Sequence, residues 1–406
     1  MTPPRSEPFR IHVPDADIAD LHRRLDATRF APDMANDDWR YGVPSDVLRE
    51  WVAAWRRFDW RDAEEELNRF ENHRVVLDDV PIHFVYRRGR GPAPVPVILT
   101  HGWPWTYWDW HATVEALADP GSHGGDPLDA FDVVVPSLPG FAFSSPLRRP
   151  TRGASETAAL WVRLMTEVLG YERFAAVGGD MGNMVTAAMG HAHADRLIGI
   201  HLLGAVPLSF SATGSAVAGL EWESDWGFPR PETPPSDPVL AARPLTDGAP
   251  PSAHRIVHVR EPQTLAAGLH DSPAGMLAWL LKARHLWRGG REEDVRTAFS
   301  ERFLLTTFSL YWFTETAWSS VRAYRATADN RWVPVHDRTP VVEAPTGITF
   351  FEHDQTSRSR FWAADYYDLR RTSYSPVGGH FAPAEVPEVV VEEIRETFRR
   401  VGAHRR

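Results

Sequence analysis

The run Val177-Gly178-Gly179-Asp180-Met181-Gly182 constrains this chain more than any other, because it sets an acidic side chain in a glycine-flanked bend between an apolar strand and a helix. Phe174 to Val177 reads as a buried strand, and Asn183 to Met189 reads as the start of a helix. Gly178 and Gly182 permit a turn tight enough to thrust the central side chain outward, the geometry that presents a nucleophile at a strand-to-helix corner. The side chain so presented is Asp180, where a serine would be the commoner occupant. A carboxylate that attacks carbon forms an ester, a route suited to opening a strained or activated carbon–heteroatom bond.

The surrounding pattern supplies a scaffold for such a corner. Val95 to Thr100, a helix after Trp105, Val133 to Val135, a helix from Glu156 to Leu169, Phe174 to Val177, a further helix, and Leu197 to Leu203 alternate strand with helix. That alternation predicts an α/β fold with a mostly parallel central sheet covered by helices on both faces. Residues 1–90 are expected to form an N-terminal module wrapped on the core, with a short strand over Phe9 to Val13, a helix led by Asp15, and a second helix from Pro44 to Phe58. On that second helix Leu48, Trp51 and Trp55 share one face, which predicts packing against the next domain. A strand pair is expected between Val75 and Tyr86, and the first part of the core then spans 91–206. The texture changes at Pro207 to His254, which is rich in proline and serine, and helical segments follow through Arg325. An inserted helical cap over 207–335 with a mobile approach is expected there. The sheet resumes at Thr339 to Phe351, and an amphipathic helix from Val386 to Val401 closes the second part of the core, 336–406.

Composition removes several classes of function. A formal charge of -10 argues against a nucleic-acid partner, and the Arg399-Arg400 and Arg405-Arg406 pairs read as solvated ends. The chain has no cysteine, so disulfides, thiolate metal sites and thiol nucleophiles are all excluded. Met1 to Glu7 carries neither the apolar core of a signal peptide nor a membrane-spanning run, so no membrane insertion and a cytoplasmic location are expected.

Five separated motifs agree on one architecture. They are His101-Gly102-Trp103-Pro104 after the first apolar strand, Pro-Ser-Leu-Pro-Gly-Phe within Asp132 to Ser144, the Gly-Gly-Asp-Met-Gly bend, Asp271-Ser272-Pro273-Ala274-Gly275, and Gly378-Gly379-His380-Phe381. In order and spacing the chain resembles the epoxide hydrolases of the α/β-hydrolase fold, in the microsomal-type branch that carries an extra N-terminal module. The resemblance covers almost the whole chain and implies conversion of an apolar or aryl epoxide to a vicinal diol through an Asp180 ester, without metal or cofactor. Its partners would be a small hydrophobic epoxide and water.

Chain order of nucleophile, acid and histidine selects His380 as the base. Matching Phe351-Glu352-His353-Asp354 puts the orienting acid at Asp354, with Glu352 as fallback. A carboxylate is already ionised near neutral pH, so the histidine's work is to deprotonate the water that hydrolyses the ester. The backbone N–H groups of Trp103 and Met181 are the expected oxyanion hole, although members of the family often carry tryptophan where Met181 stands. Opening an epoxide also needs a donor to the leaving oxygen, for which these enzymes use two cap tyrosines. Tyr324, at the end of Ser319-Ser320-Val321-Arg322-Ala323-Tyr324, matches the second, and counting back from Asp271 puts His254 where the first would be. Two readings of that departure stay open: a protonated or correctly tautomeric His254 donates in place of a phenol, which predicts a steeper fall in activity as pH rises, or the loop has shifted and activation is weaker or comes from another group. Trp105, Trp108, Phe143, Trp312 and Phe381 are candidate walls of an apolar pocket. The alternatives are a haloalkane dehalogenase-like hydrolase and a non-catalytic hydrophobic-ligand-binding member of the fold. The Pro207 to His254 stretch is open to two uses, shaping the entrance or forming a homodimer.

Overall fold

The computed structural model describes residues 4–151, 153–205, 208, 253–290, 294–354 and 363–402. One nine-stranded sheet, in the order β1-β2-β3-β5-β4-β6-β7-β8-β9, runs through them. β1 (Glu7–Pro8), β2 (Glu71–Leu77) and β3 (Val80–Arg87) are antiparallel and join the sheet where β3 meets β5 (Phe131–Pro136). From β5 the sheet is parallel through β4 (Val95–Thr100), β6 (Phe174–Gly179), β7 (Leu197–Leu203), β8 (Val342–Phe351) and β9 (Tyr367–Ser375). β4, β5 and β6 are nearly continuous runs of buried apolar residues, as strands covered on both faces must be. The cover is α4 (His111–Ala118) and the terminal helix α12 (Pro387–Arg400) on one face, with α5 (Ala154–Arg163) and α6 (Met181–Ala192) on the other.

The chain crosses from β4 to β5 and then returns over β4 to β6, so its direction reverses beside β4. Ligands bind outside the carboxyl ends of strands at such a reversal. Register fixes what lies there: Thr100 is opposite Gly178, so the residues that follow β4 and β6 emerge side by side.

Two expectations about the first ninety residues are refined. The strand expected over Phe9 to Val13 is not formed: β1 ends at Pro8, the Phe9 N–H makes a last backbone bond to Asn72, and side chains then answer the backbone in place of a ladder. Asn68 bonds both the N–H and the carbonyl of Ile11, and Glu64 accepts from the N–H of Val13 at 2.6 Å. The tryptophans of α2 (Ser45–Arg57) do pack on another unit, and that unit is the cap. Trp51 and Trp55 meet Phe308 edge-on at 6.2 and 6.3 Å, and Trp55 Nε1 donates to Ser309 Oγ at 2.8 Å.

The described part of the cap lies between β7 and β8 and consists of α7 (Ala253–Arg260), α8 (Pro262–Asp271), α9 (Pro273–Trp287), α10 (Glu301–Phe313) and α11 (Ala317–Asp329). The Asp-Ser-Pro motif is a helix start: Ser272 caps α9 by accepting from the Gly275 N–H at 3.0 Å, and Pro273 occupies a first-turn position whose missing N–H costs nothing. α1 (Asp15–Asp26) and α2 lie against α9, and α3 (Trp60–Leu67) lies against α10. Most of Pro207 to His254, where a mobile approach to the cap is expected, lies outside the described residues. Among those described, no helix is long and apolar enough to cross a membrane.

Arg284 on α9 fastens the cap to the loop after β4. Its guanidinium donates to both oxygens of Asp109, at 2.6 and 3.0 Å, and to the Pro104 carbonyl at 3.0 Å, with both side chains fully buried. Asp109 in turn accepts from the Thr106 N–H and closes a capping box at the head of the Tyr107–Trp110 turn. Breaking such a pair strands a buried carboxylate, so Arg284→Met should cost about 3–5 kcal/mol in urea unfolding. The double variant Arg284→Met/Asp109→Asn should recover part of that loss.

Candidate active site

Asp180 stands between β6 and α6 with φ 52° and ψ -120°, a backbone conformation that a side-chain-bearing residue adopts at a cost of roughly 1–3 kcal/mol. Glycines around it make the corner possible. A Cβ at Gly182 would collide with the carbonyls of Thr100 and His101, and one at Gly102 would collide with the Asp180 carboxylate itself. The carboxylate is therefore pressed against the backbone that leaves β4, and the Trp103 N–H donates to its Oδ1 at 2.8 Å. Met181 is the first residue of α6, so its N–H belongs to the unpaired first turn at the positive end of the helix dipole.

His380 follows β9 on a loop pinned to the cap. Its backbone N–H donates to the Trp287 carbonyl at 2.8 Å, and Glu385 receives the N–H groups of Phe381 and Gly289 at 2.9 and 2.8 Å. The His380 ring bridges two carboxylates, with Nδ1 3.0 Å from Asp354 Oδ1 and Nε2 3.3 Å from Asp180 Oδ2. The second contact has ion-pair distance without hydrogen-bond alignment, a looseness common in catalytic groups before substrate is bound. Glu352, the fallback acid, spends its backbone N–H on Ser375, and Asp354 is the carboxylate that touches the ring. Burial by itself would hold the imidazole neutral. The two carboxylates beside it, Asp180 and Asp354, outweigh burial and push the pKa up to about 10.

Tyr324 and His254 meet above this pair, with Tyr324 Oη 3.3 Å from His254 Nε2. Burial, then the negative charge of Asp180, raises the Tyr324 phenol well above its usual value, so it keeps its proton throughout the working range. Burial, then the nearby His258, drives His254 well below the ordinary imidazole value. His254 is therefore neutral, which removes the expectation that a protonated His254 would make activity fall as pH rises.

Of the five aromatic residues expected as pocket walls, two lie against the His380 ring. Trp105 meets His380 edge-on at 5.7 Å, and Phe381 meets both Trp105 and His380. Trp108 stacks on His111 and abuts Phe70, Phe143 packs among Phe9, His83 and Tyr107, and Trp312 lines a cavity of about 270 Å³ with Asp17, Asp20 and Arg24. These three belong to the seams between the N-terminal module and its neighbours. Trp287, which the sequence did not single out, stands beside the His380 ring: it lies 4.6 Å from His254, 5.3 Å from His380 and 6.0 Å from Trp103 between ring centroids. Its only sequence signal was a tryptophan ending a helix that begins at Asp-Ser-Pro.

With a carboxylate at the strand-to-helix corner and its histidine and acid from later loops, the chain is an α/β hydrolase, and residues 95–368 match the family model described as alpha/beta hydrolase fold. Residues 6–110 match the model described as epoxide hydrolase N terminus. A protein of Stigmatella aurantiaca named "Putative epoxide hydrolase" is 35% identical over 98% of this chain and 85% of its own length. Epoxide hydrolase 1 of the rabbit, Oryctolagus cuniculus, is 29% identical over 95% of this chain and 87% of its own. The solved Aspergillus niger epoxide hydrolase superposes with a TM-score of 0.78 at 25% identity, covering 99% of this chain and 97% of that one. The chain belongs to the microsomal-type epoxide hydrolases and is an enzyme that hydrolyses epoxides.

The raised pKa of His380 has a measurable consequence for stability. A folded value above the unfolded one stabilises fully below about pH 6.5, and that contribution is lost as pH climbs towards about 10. The buried imidazoles of His101, His201 and His258 have lowered values, so their effect is confined below about pH 6.5. Thermal unfolding of the wild type should therefore lose stability between pH 7 and 10 relative to His380→Gln, in which that loss is absent.

Proposed function

We propose that the enzyme opens an apolar or aryl epoxide by attack of Asp180, forming an alkyl-enzyme ester that water activated by His380 then hydrolyses to the diol. The observation that carries this reading is the fixed inequality of the two Asp180 oxygens. Oδ1 takes the Trp103 N–H, while Oδ2 lies beside His380. Attack through Oδ2 leaves Oδ1 as the ester carbonyl, already held where an oxyanion develops in the second step, with the Met181 N–H as its other donor.

Tyr324 supplies the proton to the opened oxygen. Esterification cancels the Asp180 charge, and with it one of the two supports that hold the proton on His380. The imidazolium becomes a stronger acid at that moment and restores Tyr324, and the neutral ring left behind is the base that the second step requires. Asp354 keeps the ring in place and stabilises the imidazolium that forms again when water is deprotonated. The apolar or aryl preference rests on the walls, since Trp103, Trp105, Trp287 and Phe381 are all buried around the triad.

Excess enzyme reacted once with styrene oxide in ¹⁸O-water should give a first-turnover diol free of label, with the label in the peptide that contains Asp180. Label in the diol from the first turnover would mean direct attack by water and end this reading. In His380→Gln the ester should accumulate, and intact-protein mass analysis should show the mass of one epoxide added.

A further inference from the structure

We propose that His258, through its Nδ1–H, is the second hydrogen-bond donor to the epoxide oxygen, acting beside Tyr324. Nothing in the sequence singled this residue out, and the inference rests on the Asp180 ester reading above.

The tautomer is legible from the contacts. Trp279 Nε1, which can only donate, lies 3.0 Å from His258 Nε2. Nε2 therefore carries the lone pair, and the proton of the neutral ring sits on Nδ1. Burial keeps the ring neutral by lowering its pKa to about 3. With Nε2 turned to Trp279 on α9, the Nδ1 edge is turned away from that helix. The other rings around His258 belong to the site: Trp103 at 4.6 Å, Tyr324 at 4.8 Å and His254 at 5.3 Å between centroids.

His258 is fully buried, and its Nδ1 has no hydrogen-bond partner among the described residues. A buried donor left without an acceptor costs roughly 1–3 kcal/mol, so an N–H fixed in this state beside the reacting groups is placed for an acceptor that arrives with the substrate. An oxirane oxygen is such an acceptor and has lone pairs for two donors. His254 is otherwise engaged, its Nε2 facing the Tyr324 phenol. In the step itself the bond from Asp180 Oδ2 to carbon forms, the ring C–O bond breaks, and the oxygen takes the Tyr324 proton. His258 donates a hydrogen bond throughout and transfers no proton.

The test is rapid-quench single turnover with styrene oxide, following ester on the Asp180 peptide, in the wild type, His258→Leu, His258→Asn and Trp279→Phe. His258→Leu should slow ester formation roughly a hundredfold and leave ester hydrolysis unchanged. His258→Asn, whose amide N–H falls near the place of Nδ1, should restore most of the rate. Trp279→Phe frees the tautomer without touching His258 and should slow the same step by a few fold. Ester formed at the wild-type rate in His258→Leu overturns the proposal, as does a joint fall of both steps that His258→Asn does not relieve. A wild type that forms no ester overturns the Asp180 reading, and this proposal with it.

Discussion

A single strained residue organises this molecule. Asp180 is held with positive φ because the ends of β4 and β6 and the start of α6 approach with no room for side chains between them. The energy that holds the corner comes from the whole parallel sheet, whose central strands and flanking helices leave the corner no route to relax. The same crowding brings the Trp103 N–H against the carboxylate, so the proposed oxyanion donor and nucleophile are products of one backbone arrangement. Groups placed by the main chain depend little on the identity of neighbouring side chains, and the Met181 N–H, at the first position of α6, is one instance.

Charge is handled with similar economy. Two cationic groups, Arg284 and His380, each sit against carboxylates, Arg284 fully buried and His380 nearly so, yet their tasks differ. Arg284 faces Asp109 in a closed arrangement that also takes the Pro104 carbonyl, and the aromatic face of Phe381 covers the guanidinium at 4.1 Å. Nothing in the reaction changes that balance. His380 has two carboxylates, one of which is consumed and regenerated in the proposed cycle, so the reaction itself changes its affinity for a proton. In that proposed cycle the Arg284 pair is a bystander and the His380 pair is the one that responds, although both set a cation against aspartate.

Much of this was legible in the sequence because the decisive pieces are local. A glycine-flanked aspartate, a histidine after two glycines and an alternating strand–helix pattern can each be read within a few residues, and chain order joins them. What was not legible depends on packing between distant elements. Trp108, Phe143 and Trp312 are aromatic residues near motifs, and only the face that each element buries decides that they line seams. Trp287, His258 and Arg284 reach the site or its support because α7 and α9 pack against the loops that follow β4 and β9, contacts with no trace in local spacing. The protonation of His254 was likewise hidden, since burial sets it and burial is a property of the fold.

The tryptophans of α2 give the cap a mechanical character. A cap inserted between two strands is joined to the core at two points and would swing freely about them. Here helices from the beginning of the chain reach across and grip α9 and α10, with Trp55 bonded to Ser309 and Arg24 of α1 bonded to the Asp271 carbonyl at 2.6 Å. The roof over Asp180 is riveted on both sides. A change in the N-terminal helices would therefore be felt at the roof, because part of what holds α9 and α10 in place comes from residues that precede the core in the chain.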